Sequence, residues 1–287
     1  MDFIQTIIIA IVEGLTEFLP VSSTGHMIIT QNLLGVPKGD PFVHAFTFII
    51  QFGAILSVVC LYWKRFFQMR TEEEFQAKLK FYGLLIVGVF PAVVVGLLAK
   101  KSGLLDWLLD SVTVVAITLV LGGVFMLFCD RLFNATDKTN EVNWKRAFKI
   151  GCFQCLSVIP GMSRSMSTIV GGMQQGLTRK RAAEFSFFLA VPTMAAATAL
   201  DVLELMLKGD NGALWASSNN LLMLLIGCVV AFFVALFAMK WFVNVLAKYG
   251  FKMFGVYRIL LGLFILAWLL LGHNLSMVDY MNFIEGE

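Results

Sequence analysis

Residues 13 to 26 read Glu13-Gly-Leu-Thr-Glu17-Phe-Leu-Pro20-Val-Ser22-Ser23-Thr24-Gly25-His26. Glu13 and Glu17 are four residues apart, so a helix through them puts both carboxylates on one face. Such a pair offers hard oxygen ligands to a divalent cation, Mg²⁺ or Ca²⁺, and Mg²⁺ prefers to share its shell with phosphate oxygens and water. Pro20 ends the helical pattern. Ser22, Ser23, Thr24 and Gly25 then supply hydroxyls and backbone amides at the start of a new helix, a setting that suits an anion. His26 adds a group that exchanges a proton near neutral pH.

A second polar stretch, Ser157-Val-Ile-Pro160-Gly161-Met162-Ser163-Arg164-Ser165-Met166-Ser167-Thr168, carries Arg164 between Ser163 and Ser165. Its planar fork engages two phosphate oxygens at once, which lysine cannot imitate. An ion pair from Arg164 to Glu13 or Glu17 is the structural alternative, compatible with the first if substrate or metal displaces it. Taken together, these groups point to hydrolysis of a lipid phosphate or diphosphate. Ser23 is the candidate nucleophile, with His26 activating it or protonating the leaving group; direct attack by water with His26 as base is the other route. Gln51 and Thr47 could line the same cavity, although a single amide in an apolar helix is more often an interhelical hydrogen bond.

The elements that hold these groups must lie in a membrane. The chain has 287 residues, 59% hydrophobic and 14% charged, with a mean hydropathy of +0.82, too apolar for a soluble globule. Six runs approach spanning length: Ala45 to Trp63, Phe81 to Ala99, Val112 to Cys129, Ala182 to Leu200, Leu221 to Met239 and Val256 to Gly272. Residues 1 to 34 and 150 to 178 instead have short apolar pieces on either side of the two polar stretches, each too short to cross alone. Irregular backbone cannot face lipid, so the broken tips must line a protein-walled cavity.

The chain also looks duplicated, with an offset near 140 residues: Leu84-Leu85-Ile86 recurs as Leu224-Leu225-Ile226, and Pro20 with Ser23 sits at the offset of Pro160 with Ser163. The expected fold is an all-α integral membrane protein, a single polytopic domain over residues 1–287. It has six full transmembrane helices plus two broken re-entrant helical hairpins, arranged as two inverted-topology repeats, about 1–140 and about 141–287. With both termini outside, sixteen basic residues fall in inside segments and four (Lys38, Lys100, Lys101, Lys208) outside, leaving Arg164 and Arg258 within the membrane. Arg258 reads as a snorkelling or structurally paired side chain, Glu184 as an interfacial ion-pair partner of Arg179-Lys-Arg181, and His44 and His273 as interfacial. The net charge of +3 gives no argument for nucleic acid, and five cysteines in or beside apolar runs argue against a disulfide framework.

Residues 13 to 26, together with Pro160-Gly-Met-Ser-Arg-Ser165, Gly151-Cys-Phe-Gln-Cys155 and Glu184-Phe-Ser-Phe-Phe-Leu-Ala-Val-Pro192, resemble the undecaprenyl-diphosphate phosphatases, also known as bacitracin-resistance proteins. The resemblance covers essentially the whole chain. It implies hydrolysis of a polyprenyl diphosphate lipid to the monophosphate, which recycles the carrier for peptidoglycan synthesis. It further implies divalent-cation dependence, a multi-pass location in the bacterial plasma membrane among membrane lipids, and a site facing the periplasm or cell exterior, with a homodimer left open. The acidic pair maps to Glu13 and Glu17, the motif serine to Ser23, the histidine to His26 and the arginine to Arg164. One departure is Met166 where the family commonly has glycine, which bears on the backbone geometry of the second tip. The rival reading is a polyprenyl-phosphate flippase, since inverted repeats and broken helices are transporter architecture. Type-2 phosphatidic-acid phosphatases need a histidine downstream of Ser-Arg, and the only one after Arg164 is the distant His273.

Overall fold

The computed structural model describes residues 1–36, 40–69, 71–104, 108, 111–133, 141–207 and 217–271. Lys38, Arg70, Lys138, Lys208 and His273 lie outside them. The described residues form eleven α-helices and no strand: α1 (Phe3–Thr16), α2 (Ser23–Leu33), α3 (Pro41–Leu61), α4 (Trp63–Phe67), α5 (Glu72–Lys101), α6 (Val112–Leu132), α7 (Trp144–Gln154), α8 (Arg164–Gln174), α9 (Arg179–Leu207), α10 (Ser218–Tyr249) and α11 (Lys252–Leu270). Six of them, α3, α5, α6, α9, α10 and α11, are long and apolar enough to cross a membrane, and each contains most or all of one of the six apolar runs of the sequence.

The breaks fall where the sequence places them. After α1 the chain cannot continue as a helix through Pro20, and Ser22 turns it with φ of +71°. Its Oγ then accepts the Gly25 amide to cap α2. The second break repeats this. A 3-10 turn over Cys155–Val158 leads to Pro160, Ser163 has φ of +72°, and its Oγ accepts the Met166 amide at 3.3 Å to cap α8. Met166 itself is buried and sits in the capped first turn of α8.

The two halves interlock. α1 packs along α10, while α7 packs along α5; α3 also lies on α10, and α9 on both α3 and α8. The most extensive pairing is α6 against α11. There Gly123 and Gly255 face each other's backbone so closely that a Cβ on Gly123 would stand 2.7 Å from the Gly255 carbonyl oxygen, the close approach that small residues permit between apolar helices. Both broken segments abut this pair. At one end, Asp130 on α6 joins three elements, accepting the Arg179 Nε–H of α9 at 2.7 Å and the Phe251 amide before α11 at 2.7 Å. Arg181 and Glu184 form the expected ion pair at 3.4 Å. All five cysteines are free.

Candidate functional site

The two breaks meet. Glu17, at the end of α1, is the shared group: its Oε2 accepts the Ser23 hydroxyl at 2.8 Å and its Oε1 accepts Arg164 Nη2 at 2.9 Å. The pair is largely shielded, with side-chain exposures of 11% for Arg164 and 8% for Glu17. Three further contacts hold the guanidinium: Nη1 donates to the Ser186 carbonyl at 3.2 Å, Nη2 also reaches the Met194 sulfur, and the Phe18 ring lies 5.8 Å from Cζ. Arg164 Nε is buried with no hydrogen-bond partner. Ser165, fully buried, closes the junction by donating to the Phe18 carbonyl at 2.6 Å.

Glu13 lies one turn before Glu17 on α1. It is 0% exposed, and no neighbouring group donates to either oxygen of its carboxylate; the Glu17 carboxyl lies within hydrogen-bonding reach, so the two can share a proton. An ionised carboxylate left unpaired in apolar surroundings is strongly disfavoured, so these oxygens suit a cation. Among the described residues no group of three His, Cys, Asp or Glu side chains could hold a metal. The chain thus offers two carboxylates, one of them already shared, which fits an ion that completes its shell with phosphate oxygens and water rather than one caged by protein.

His26 points elsewhere than at Ser23. Its Nδ1 is 2.8 Å from the Ser22 carbonyl and its Nε2 is 2.6 Å from the Tyr257 hydroxyl. A carbonyl only accepts, so Nδ1 carries a proton, and Nε2 accepts from the Tyr257 hydroxyl when the ring is neutral and donates to it when the ring is charged. The rings of His26 and Tyr257 also stack, 12° from parallel. Of the other expected site residues, Ser22 and Ser163 are the two turn residues and caps, and Gly25 packs under Leu119, where a Cβ would approach to 3.0 Å. Thr24 is exposed at the start of α2. Gln51 is half-buried on α3 and makes no hydrogen bond to any of these groups; its neighbour Thr47 accepts from Gln31 of α2 at 3.0 Å, the interhelical bond that is the plainer reading of such residues.

The residue whose role the sequence conceals is Arg258. It neither snorkels nor pairs with a carboxylate: it is 0% exposed, and its fork is spent on backbone carbonyls. Nη1 donates to Pro20 at 3.3 Å and Met162 at 3.0 Å, and Nη2 to Gly161 at 2.8 Å and Thr118 at 3.2 Å. Tyr257 precedes it on α11, and together they put that helix into the site. Beside them opens a cleft of about 540 Å³ between α1, α10 and α11, lined by Val12, Leu15, Phe237, Trp241 and Met253 and reaching His26 and Tyr257 at a polar end.

The family model described as bacitracin resistance protein BacA matches residues 6–264. The chain belongs to this family. Among its BacA-type relatives, the undecaprenyl-diphosphatase of Porphyromonas gingivalis is 50% identical over 286 residues, covering 96% of this chain and 100% of the relative. That of Flavobacterium psychrophilum is 49% identical over 278 residues, 97% of this chain and 100% of the relative. That of Bdellovibrio bacteriovorus is 45% identical over 282 residues, with the same two shares. The BacA match spans both breaks, the first two-thirds of α11 with Tyr257 and Arg258, and every residue of the constellation around Glu17.

Proposed function

We propose that this chain is an undecaprenyl-diphosphate phosphatase of the plasma membrane, hydrolysing the C55 diphosphate to the monophosphate and inorganic phosphate. The observation that carries the reaction centre is Glu17 held between the Ser23 hydroxyl and the Arg164 guanidinium. A serine hydroxyl is a weak nucleophile until a base takes its proton, and Glu17 is already its acceptor. On substrate binding, Arg164 turns its fork to the terminal phosphate and offsets the charge that grows there. Ser23 Oγ bonds to the terminal phosphorus as the bridging oxygen leaves with the lipid monophosphate, and the Ser23 proton passes to Glu17. Water then attacks the phosphorus and the Oγ–P bond breaks; Glu17 returns its proton to Ser23 Oγ, and inorganic phosphate leaves carrying the proton of the water. His26, fixed by Ser22 and Tyr257, stands at the polar end of the cleft that receives the prenyl chain; its Nε2 takes up a proton from water in place of the Tyr257 bond and then gives it to the leaving oxygen.

Glu13 and Glu17 would hold a divalent cation, which supplies charge neutralisation to the diphosphate. Ser22, Thr24, Gly25, Ser163 and Ser165 present the two helix starts, α2 and α8, to the anion. The two breaks are read as re-entrant hairpins of an inverted repeat, supported by matched Ser22 and Ser163 turns and by the reciprocal packing of α1 on α10 and α7 on α5. The charge asymmetry of the loops supports a site opening to the periplasm or cell exterior.

The decisive experiment is phosphate release by purified protein from the C55 diphosphate, with and without a chelator. Release abolished by chelation and restored by Mg²⁺ or Ca²⁺ is expected. A protein that releases none, yet moves polyprenyl phosphate across vesicles, would be a transporter. Rapid quench with labelled diphosphate should trap phosphate on the protein; its absence would favour direct attack by water.

A further inference from the structure

We infer that Arg258 is a positioning residue that locks the two broken segments against each other by their backbone, and so sets the distance from Arg164 to Glu17 and Ser23. The inference rests on the reading of that constellation as the reaction centre. A guanidinium buried without a carboxylate is strongly disfavoured unless its donors are satisfied, and here the acceptors come from both segments at once: Pro20 from the first, Gly161 and Met162 from the second. The remaining donors anchor it to Thr118 and Leu119 on α6. Because C=O and N–H of a trans peptide point in opposite directions, this turns the amides of Val21, which precedes the turn residue Ser22, and of the turn residue Ser163 itself away from the guanidinium.

The duplication sharpens the inference. Thr118 lies 140 residues before Arg258, as Pro20 lies 140 before Pro160. Thr118 donates its hydroxyl to the Pro160 carbonyl at 2.6 Å, just as Arg258 donates to the Pro20 carbonyl. Equivalent positions on α6 and α11 thus hold equivalent carbonyls, one with a short hydroxyl and one with a long fork. Only the fork also crosses to the other segment. Gly122 makes room for it, since a Cβ there would stand 2.5 Å from Arg258 Nη2. The asymmetry accounts for a charge on α11 with no counterpart on α6.

Lysine in place of Arg258 keeps the charge and loses the fork, so Arg258→Lys tests the geometry. Two measurements are made on detergent-purified protein: steady-state phosphate release from the C55 diphosphate, and amide hydrogen exchange of residues 18–26 and 160–168. Arg258→Lys should lower kcat by about thirtyfold or more with KM within about threefold, the pattern of lost transition-state alignment. It should also speed exchange about tenfold in both segments, while α3 and α10 exchange as in the wild type. Thr118→Val should loosen residues 160–168 alone, and this decides the matter if the lysine variant fails to fold. Wild-type exchange in both segments of Arg258→Lys, a rise in KM that accounts for the whole loss, or Thr118→Val loosening both segments alike would overturn the inference. If the wild type releases no phosphate, the phosphatase reading falls, and the exchange pattern still decides whether Arg258 locks the segments.

Discussion

At the scale of single residues, the site is a contest for one carboxylate. Glu17 serves a hydroxyl and a guanidinium together, so removing its charge disables both. Glu17→Gln and Arg164→Ala are each expected to lower turnover by more than about a hundredfold, since one well-placed charge-stabilising group is worth roughly 3 kcal/mol; phosphate release from protein shown to be folded checks this. Glu13→Gln should behave differently. Its carboxylate is buried beside that of Glu17 with no other donor to it, so the amide removes an unfavourable burial of like charge while deleting a cation ligand. Activity should then need at least about tenfold more divalent ion, and the melting temperature in chelator should stay level or rise by a few degrees, the exchange of stability for function common at active sites. A fall in melting temperature would mean that Glu13 has a structural partner. Tyr257→Phe removes the hydroxyl on His26 Nε2 and leaves the ring in place; it should alter the basic or acidic limb of the kcat profile against pH while sparing the fold, read by turnover across pH 5 to 9.

At the scale of elements, what matters is how short helices are stopped and restarted. Both restarts use serine at positive φ, a conformation that L-residues rarely adopt outside functional turns, and both spend the serine hydroxyl on a cap. Ser163→Ala should therefore cost about 1 kcal/mol of stability, measured by denaturant or thermal unfolding, and a β-branched residue there should cost more. Such elements were legible to different degrees. Glu13, Glu17, Ser23 and Arg164 stand out because polar and charged groups inside apolar runs are costly and thus rarely idle, and Pro20 and Pro160 mark the breaks by their missing amide. The six spans follow from length and hydropathy alone. For Arg258 the sequence offers snorkelling or a structural pairing; the pairing is what the fold uses, but its partners are carbonyls, which every residue has and no side-chain pattern reveals. The His26–Tyr257 bond was hidden for a related reason: 231 residues separate the two, and a tyrosine near a helix end ordinarily reads as an interfacial anchor. Gln51 illustrates the reverse, a polar residue in a span that makes no hydrogen bond to the constellation around Glu17.

At the scale of the whole molecule, the question is why two half-sites from distant parts of the chain should be brought together at all. A diphosphate is too highly charged to enter hydrocarbon, and its prenyl tail too apolar to leave it. A cavity walled by protein, open to water at one side and to an apolar cleft at the other, satisfies both ends of the substrate. Two interlocked halves can build such a cavity from irregular backbone without exposing that backbone to lipid, and the apolar cleft that reaches His26 and Tyr257 is the part of it seen here. If they are inverted, both ends of the first hairpin lie on one side of the membrane and both ends of the second on the other. Asp2 and Leu33 flank the first, and Lys145 and Lys180 the second; all four are exposed. Single cysteines at these positions, in a chain whose own five cysteines are replaced, should separate cleanly under a membrane-impermeant maleimide applied to intact spheroplasts. Asp2→Cys and Leu33→Cys should react at once, whereas Lys145→Cys and Lys180→Cys should react only after permeabilisation, because the basic loops stay on the cytoplasmic side. Labelling of all four from outside would rule out the inversion. Labelling of Asp2→Cys but not Leu33→Cys would mean that the first broken segment crosses the bilayer rather than turning back within it.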